Sequence, residues 1–189
     1  WSMDWYAGMP AYRFYMVLPA LAIVLVNVVL PYGVSMKLVS VLGLITLPAC
    51  CWAFGRLGRF RYPMPELFAF AGLAFALDES FTIYGGNLKS TMAGEFSHSI
   101  ALSLAVLALG VLAAGLRTGK YRVWASVLIA AACVSHGIVM IFVVLAALIF
   151  SLVWIDRTRL IYAATVGGTS VLLIMFWVGP FLLNHAFMT

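Results

Sequence analysis

Apolar residues fill long runs of this chain, and short polar breaks separate them. The runs at residues 100–116, 139–155 and 160–178 approach the roughly 20 residues that carry a helix across a bilayer. Polar and turn-forming residues then divide the chain into helices over 34–54, 63–77, 99–116, 120–135, 138–155 and 160–178. Pro63 and Pro65 suit a first helical turn, where the missing N–H groups would have no partner. Residues 123–156 read at first as one helix. At 1.5 Å per residue it would be about 50 Å long, against a hydrocarbon core of roughly 30 Å. The break at Ser135-His136-Gly137 predicts a helical pair joined by a tight turn, with a single tilted helix as the alternative. Residues 13–30, with Pro19, Asn27 and the Pro31-Tyr32-Gly33 turn, read as an outer-leaflet helix that returns rather than a full crossing.

The basic residues orient this pattern. Eight of the eleven Lys and Arg fall in three clusters: Arg56, Arg59 and Arg61; Arg117, Lys120 and Arg122; Arg157 and Arg159. Short basic loops favour the cytoplasmic face. All three clusters share that face only if each intervening stretch crosses the membrane an even number of times, which again requires a break near residues 135–137. Residues 78–98 then lie outside, as do Asn184 and His185. Lys37 lies close enough to an outer helix end to snorkel. Trp1–Tyr15, with three Tyr and two Trp, reads as an aromatic belt at headgroup level.

Composition agrees. The chain has 189 residues, of which 65% are hydrophobic and 9% charged, against roughly 25% charged in a soluble domain. The expected architecture is all-α: one polytopic transmembrane helical bundle over residues 1–189. Residues 1–33 would be a first outer loop with its embedded helix, and 34–182 about five membrane helices. The net charge of +5 does not indicate nucleic acid, because the basic residues sit in short interhelical loops. Cys50, Cys51 and Cys133 lie in apolar runs and lack the spacing of a metal or disulfide framework. No signal peptide precedes the first run, and a chain opening on Trp1 reads as an internal fragment of a longer protein.

The polar chemistry concentrates in one segment, LDESFTIYGGNLKSTMAGEFSHSI. It holds three of the six acids (Asp78, Glu79, Glu95), one of three histidines (His98) and Lys89. Gly85-Gly86-Asn87 is a turn signal. Ser90 or Thr91 is expected to cap the following helix, leaving N–H groups that, beside Lys89, suit a phosphate; ordinary capping with a snorkelling lysine is the other reading. Asp78 and Glu79 suit a divalent cation such as Mg or Mn, a general base, or plain solvation at a helix end. Glu95 and His98 are three apart and would share a helix face as a hydrogen-bonded pair. The same spacing serves di-iron bundles, but those need a second Glu-x-x-His and two more glutamates, and only Glu66 remains. His136, at the proposed turn, either satisfies loose carbonyls or faces the same outer cleft.

Several stretches together resemble the GT-C class of integral-membrane glycosyltransferases, and most of all large actinobacterial membrane proteins loosely labelled as related to 6-pyruvoyl-tetrahydropterin synthase. They are WSMDWYAGMPAYRFYMVLPAL from Trp1, VLGLITLPACCWAFGRLGR from Val41, FTIYGGNLKSTMAGEFSHSI from Phe81, CVSHG from Cys133 and the closing FWVGPFLLNHAFMT. The loop with AGEF is the most specific of them. The resemblance implies a multi-pass protein of the bacterial plasma membrane, working on the extracytoplasmic side. Its activity would be cell-envelope glycan synthesis from a polyprenyl-phosphate-linked sugar, alongside membrane lipids and other envelope-biosynthesis membrane proteins. Asp78, Glu79, Glu95 and His98 would carry catalysis. Asn87, Lys89, Ser90, Thr91 and His136 would hold substrate phosphate, and a divalent cation (Mg or Mn) would be the cofactor. The acidic DxD-like pair typical of the class does not occur here, since Asp4 is the only acid before the first apolar run. Two other readings use the same residues: a non-catalytic lipid or glycolipid transporter or assembly scaffold, and a proton-coupled transporter relaying through Glu95, His98 and His136. No inverted repeat accompanies the last.

Overall fold

A computed structural model describes residues 17–80, 85–153 and 156–183. The aromatic belt, Asp4, Arg13, Asn184 and His185 lie outside these. Among the described residues the chain is all-helical, with α1 (Leu18–Asn27), α2 (Tyr32–Leu57), α3 (Met64–Leu77), α4 (Leu88–Met92), α5 (Phe96–Thr118), α6 (Arg122–Ser135), α7 (Gly137–Val153) and α8 (Arg157–Leu183). Three of them, α2, α5 and α8, are long and apolar enough to cross a membrane. The starts follow proline: Pro19 and Pro65 stand in the first turns of α1 and α3, and Pro31 precedes α2.

The most buried helix is α5, and it packs against α2, α4, α6, α7 and α8. Small residues allow this crowding. Ala101, Ala105 and Ala108 are fully buried, and a Cβ at Gly110 would stand 2.9 Å from the Phe54 backbone. Without a hydrophobic force between helices in lipid, such close backbone approach is what holds them. At Gly43 a Cβ would fall on the backbone of Ser99 and Ile100, and Ser103 Oγ donates to the Gly43 carbonyl at 2.7 Å. On the other flank Ser170 Oγ, on α8, donates to Ser126 O of α6 at 3.2 Å.

Contacts along the helices fix their directions. Gly43 meets Ser99 and Leu57 O accepts from Arg117, so α2 and α5 run parallel. Gly55 meets Pro65 and Gly72 meets Cys51, so α3 runs back antiparallel. At the end of α6 His136 is extended (φ −159°, ψ 130°) and the helix stops. The chain then reverses, because Phe150 near the end of α7 lies 6.4 Å from Phe54, at the level where α5 ends. A single tilted helix is therefore ruled out. All three basic clusters gather at one end of the bundle, as a shared face requires: Arg117 beside Leu57, Arg122 5.3 Å from the Tyr162 ring, and Tyr162 Oη donating to Lys120 O at 2.9 Å.

The opposite end is uneven. From Leu57 to Gly43, α2 rises about 21 Å at 1.5 Å per residue, and from Gly43 to Tyr32 roughly 17 Å more. Since Gly43 already lies level with Ser99 near the start of α5, the upper part of α2 overhangs it. Beside this overhang stands α1, its foot tied to α6 where Val17 N donates to Val134 O at 3.1 Å. Its flank is apolar and bare, with Leu25 73%, Val28 79% and Val29 83% exposed, as suits contact with lipid.

Candidate functional site

Three polar side chains meet under the overhang. Glu95 is the residue just before α5, His98 lies in the first turn of α5, and His136 is the extended residue between α6 and α7. Glu95 Oε2 is 3.9 Å from His136 Nε2. The two imidazole rings tilt together with centroids 4.7 Å apart. One ligand atom from each of the three lies within 4.8 Å of the others. His136 keeps only 15% of its side chain exposed and Glu95 42%. Nδ1 of His98 and Nδ1 of His136 are buried without a hydrogen-bond partner among the described residues.

The partner of Glu95 differs from the sequence expectation. Within this pair only the backbone bonds, His98 N donating to Glu95 O at 3.2 Å; the Glu95 carboxylate turns to His136. The physical reason is that Glu95 is not yet helical (φ −84°, ψ 34°). Its side chain therefore escapes the i, i+3 neighbour rule.

The loop before α5 is built to lie against His98. Gly85 has φ +76°, and a Cβ there would strike the His98 ring, so the position suits only glycine. Asn87, 3% exposed, caps α4 by accepting from Ser90 N at 2.9 Å. Neither Ser90 nor Thr91 is the cap, then. Both are buried inside α4, and Thr91 Oγ1 has no partner among the described residues. Lys89 is drawn to Glu79, with Nζ 3.1 Å from its carboxylate and donating to its carbonyl at 3.1 Å. Asp78 accepts from the Ser80 hydroxyl at 2.8 Å and from Ser80 N at 3.1 Å. These bonds hold the Asp78 carboxyl below the usual carboxylate range. Asp78 thus bonds to Ser80 and Glu79 to Lys89, and the Lys89 charge also favours the ionised Asp78.

Clefts open on both sides of the cluster. One, of about 490 Å³, is lined by His98, Asp78, Asn87, Phe75, Leu102 and Phe142. A second pocket of about 370 Å³, reaching Phe54 and Phe68, shares Phe75 and Leu102 with it, and a third of about 210 Å³ at Phe150 and Arg117 shares Phe54 with the second. Together they form an interrupted apolar groove along α5, bounded by α2 and α3 on one side and α7 on the other, with Phe54 packed against Phe68 and Phe150 where the second and third pockets meet. From His98 to Arg117 it runs roughly 28 Å. The second cleft, about 600 Å³, holds Glu95, His136, Cys133, Trp177 and Phe181 between α6, α7 and α8. Trp177 Nε1 is buried there without a partner among the described residues. Sequence reasoning missed this cleft: Trp177 lies in an ordinary apolar run, and only its packing beside His136 distinguishes it.

No family model, no curated protein and no solved structure matches the chain.

Proposed function

We propose that the chain is part of a GT-C-like membrane glycosyltransferase of the bacterial plasma membrane, which takes a polyprenyl-phosphate-linked sugar on the extracytoplasmic side to build envelope glycan. The groove carries this reading. It leads from a largely apolar pocket edged by His98, Asn87 and Asp78 to a neighbouring apolar pocket lined by Phe54, Phe68 and Phe75. A headgroup seated at His98 and Asn87 would leave its isoprenoid tail along the apolar pockets. If the arginines beside Leu57 mark one bilayer boundary, the polar cluster lies roughly 21 Å from it along α2 or 28 Å along α5, toward the far edge of a core of roughly 30 Å. A substrate anchored in the bilayer reaches such a depth sideways, without leaving the lipid.

In a transfer, the leaving phosphate needs compensating positive charge and the acceptor hydroxyl needs a base. Glu95 with His136 is the base candidate. Lys89, partly held by Glu79 and 43% exposed, can swing to a phosphate at the cleft mouth.

The test uses the full-length protein in native membranes, with labelled polyprenyl-phosphate sugar. We expect a Lys89→Ala, Glu95→Ala double variant to lose most sugar transfer to envelope glycan; full transfer in that variant refutes the assignment. A second reading, a non-catalytic lipid or glycolipid transporter or scaffold, draws on the engagement of Glu79 by Lys89 and of Asp78 by Ser80. Photo-crosslinking of a polyprenyl phosphate to the groove, with no sugar released, would decide for it.

A further inference from the structure

The geometry points to a transition-metal site at Glu95, His98 and His136, with zinc as the fitting ion. Two imidazoles and one carboxylate make a nitrogen-rich donor set. That set suits zinc or another late first-row ion, whereas Mg and Mn favour oxygen cages. It therefore differs in place and chemistry from an oxygen-ligated cation at Asp78 and Glu79.

The three donors are already gathered within 4.8 Å. Around a tetrahedral ion with bonds near 2.0–2.1 Å, ligand atoms stand roughly 3.4 Å apart. The 3.9 Å between Glu95 and His136 needs only a small side-chain rotation to close. The supports are firm: His98 is within the first turn of the most buried helix, Glu95 precedes it, and His136 is fixed where two helices end. Three protein ligands leave a fourth position open, as in catalytic rather than structural zinc sites. That position borders the two clefts, where an ion could polarise a phosphate or a bound water; with the ion bound, such a water rather than Glu95 with His136 would supply the base.

The site does not depend on the lipid reading, and its test uses no lipid substrate. The full chain, reconstituted in phosphatidylcholine vesicles and stripped with a chelator, is titrated with zinc by calorimetry and with cobalt(II) as a visible probe. We expect one zinc per chain and a cobalt spectrum of tetrahedral intensity. Glu95→Gln and His136→Gln should each weaken zinc by about tenfold or more, while Glu66→Gln, at the basic end, should leave it unchanged. X-ray absorption on the wild-type zinc form keeps the question open to refutation even where a variant misfolds, and should count two imidazole nitrogens. Absence of zinc binding, a sulfur ligand from Cys133, or ligand variants that bind as tightly as wild type would overturn the site.

Discussion

Substituting Gly43 with alanine tests whether helix contact, rather than apolar content, holds this bundle together. The new Cβ would fall on the Ser99 and Ile100 backbone, which has no rotamer to move aside. The helices must then separate at their crossing, and the 2.7 Å bond from Ser103 to the Gly43 carbonyl lengthens or breaks. Overpacking of this kind costs about 3 kcal/mol at the upper end of its usual range, and an interhelical hydrogen bond adds about 0.6 kcal/mol. Replacing a helical glycine by alanine returns roughly 1 kcal/mol through backbone entropy. The net destabilisation is therefore about 2.5 kcal/mol, or a shift of about 60-fold in the unfolding equilibrium at 1.4 kcal/mol per decade. Equilibrium unfolding of the reconstituted protein in mixed micelles measures this directly. The internal control is Gly168→Ala in α8, where a Cβ meets nothing within 4 Å. It should be neutral or slightly stabilising. If Gly43→Ala matches wild type, or if both variants lose stability equally, close backbone packing at the α2–α5 crossing is not what secures the fold.

Other expectations follow from single contacts. Gly85→Ala should displace the loop from His98 because of both its φ of +76° and the clash with the ring; loss of zinc or lipid binding with the helical circular dichroism retained checks it. Tyr162→Phe removes the bond to Lys120 O and should lower stability by about 1 kcal/mol, read in the same micelle titration. Ser80→Ala should move the Asp78 titration up toward the ordinary carboxylate value, because the Ser80 bonds are what lower it. In the wild type the stabilisation linked to that lowered value is present above the ordinary carboxylate pKa and is lost as pH falls through the Asp78 value. An NMR titration of Asp78 that is identical in the two proteins would refute this. Leu102→Trp should fill the groove floor and reduce photo-labelling by a polyprenyl phosphate several-fold while sparing zinc affinity.

Helix positions were legible because prolines, arginine clusters and apolar run lengths are local signals. The break at His136 came from a length argument: an unbroken helix from 123 to 156 is too long for a bilayer and puts Arg157 at the wrong end. What the sequence concealed is register between helices. Nothing in the run 34–54 reveals that Gly43, and not Tyr32, lies level with Ser99, so a segment read as an outer loop turns out to sit beneath an overhang. The polar pairings were hidden for a similar reason. Glu95 meets His136, and Lys89 meets Glu79 from the far side of a turn, whereas residue spacing suggested Glu95 with His98 and a free lysine beside a helix start.

The overhang of α1 and α2 makes membrane thickness a control variable. In a bilayer its bare valines and leucines would need hydrocarbon beside them, with the arginines of the other end at the interface. A bilayer too thin for the full length of α2 must stretch locally or let the helix tilt, at fractions of a kcal/mol per ångström of mismatch. Because α5 is locked to α2 through Gly43, tilt of one carries the other, and with it the mouth of the groove. Short-chain and long-chain lipids would thus set different depths for the same Glu95, His98 and His136, so that lipid length becomes a means of tuning access to the site without touching a residue in it.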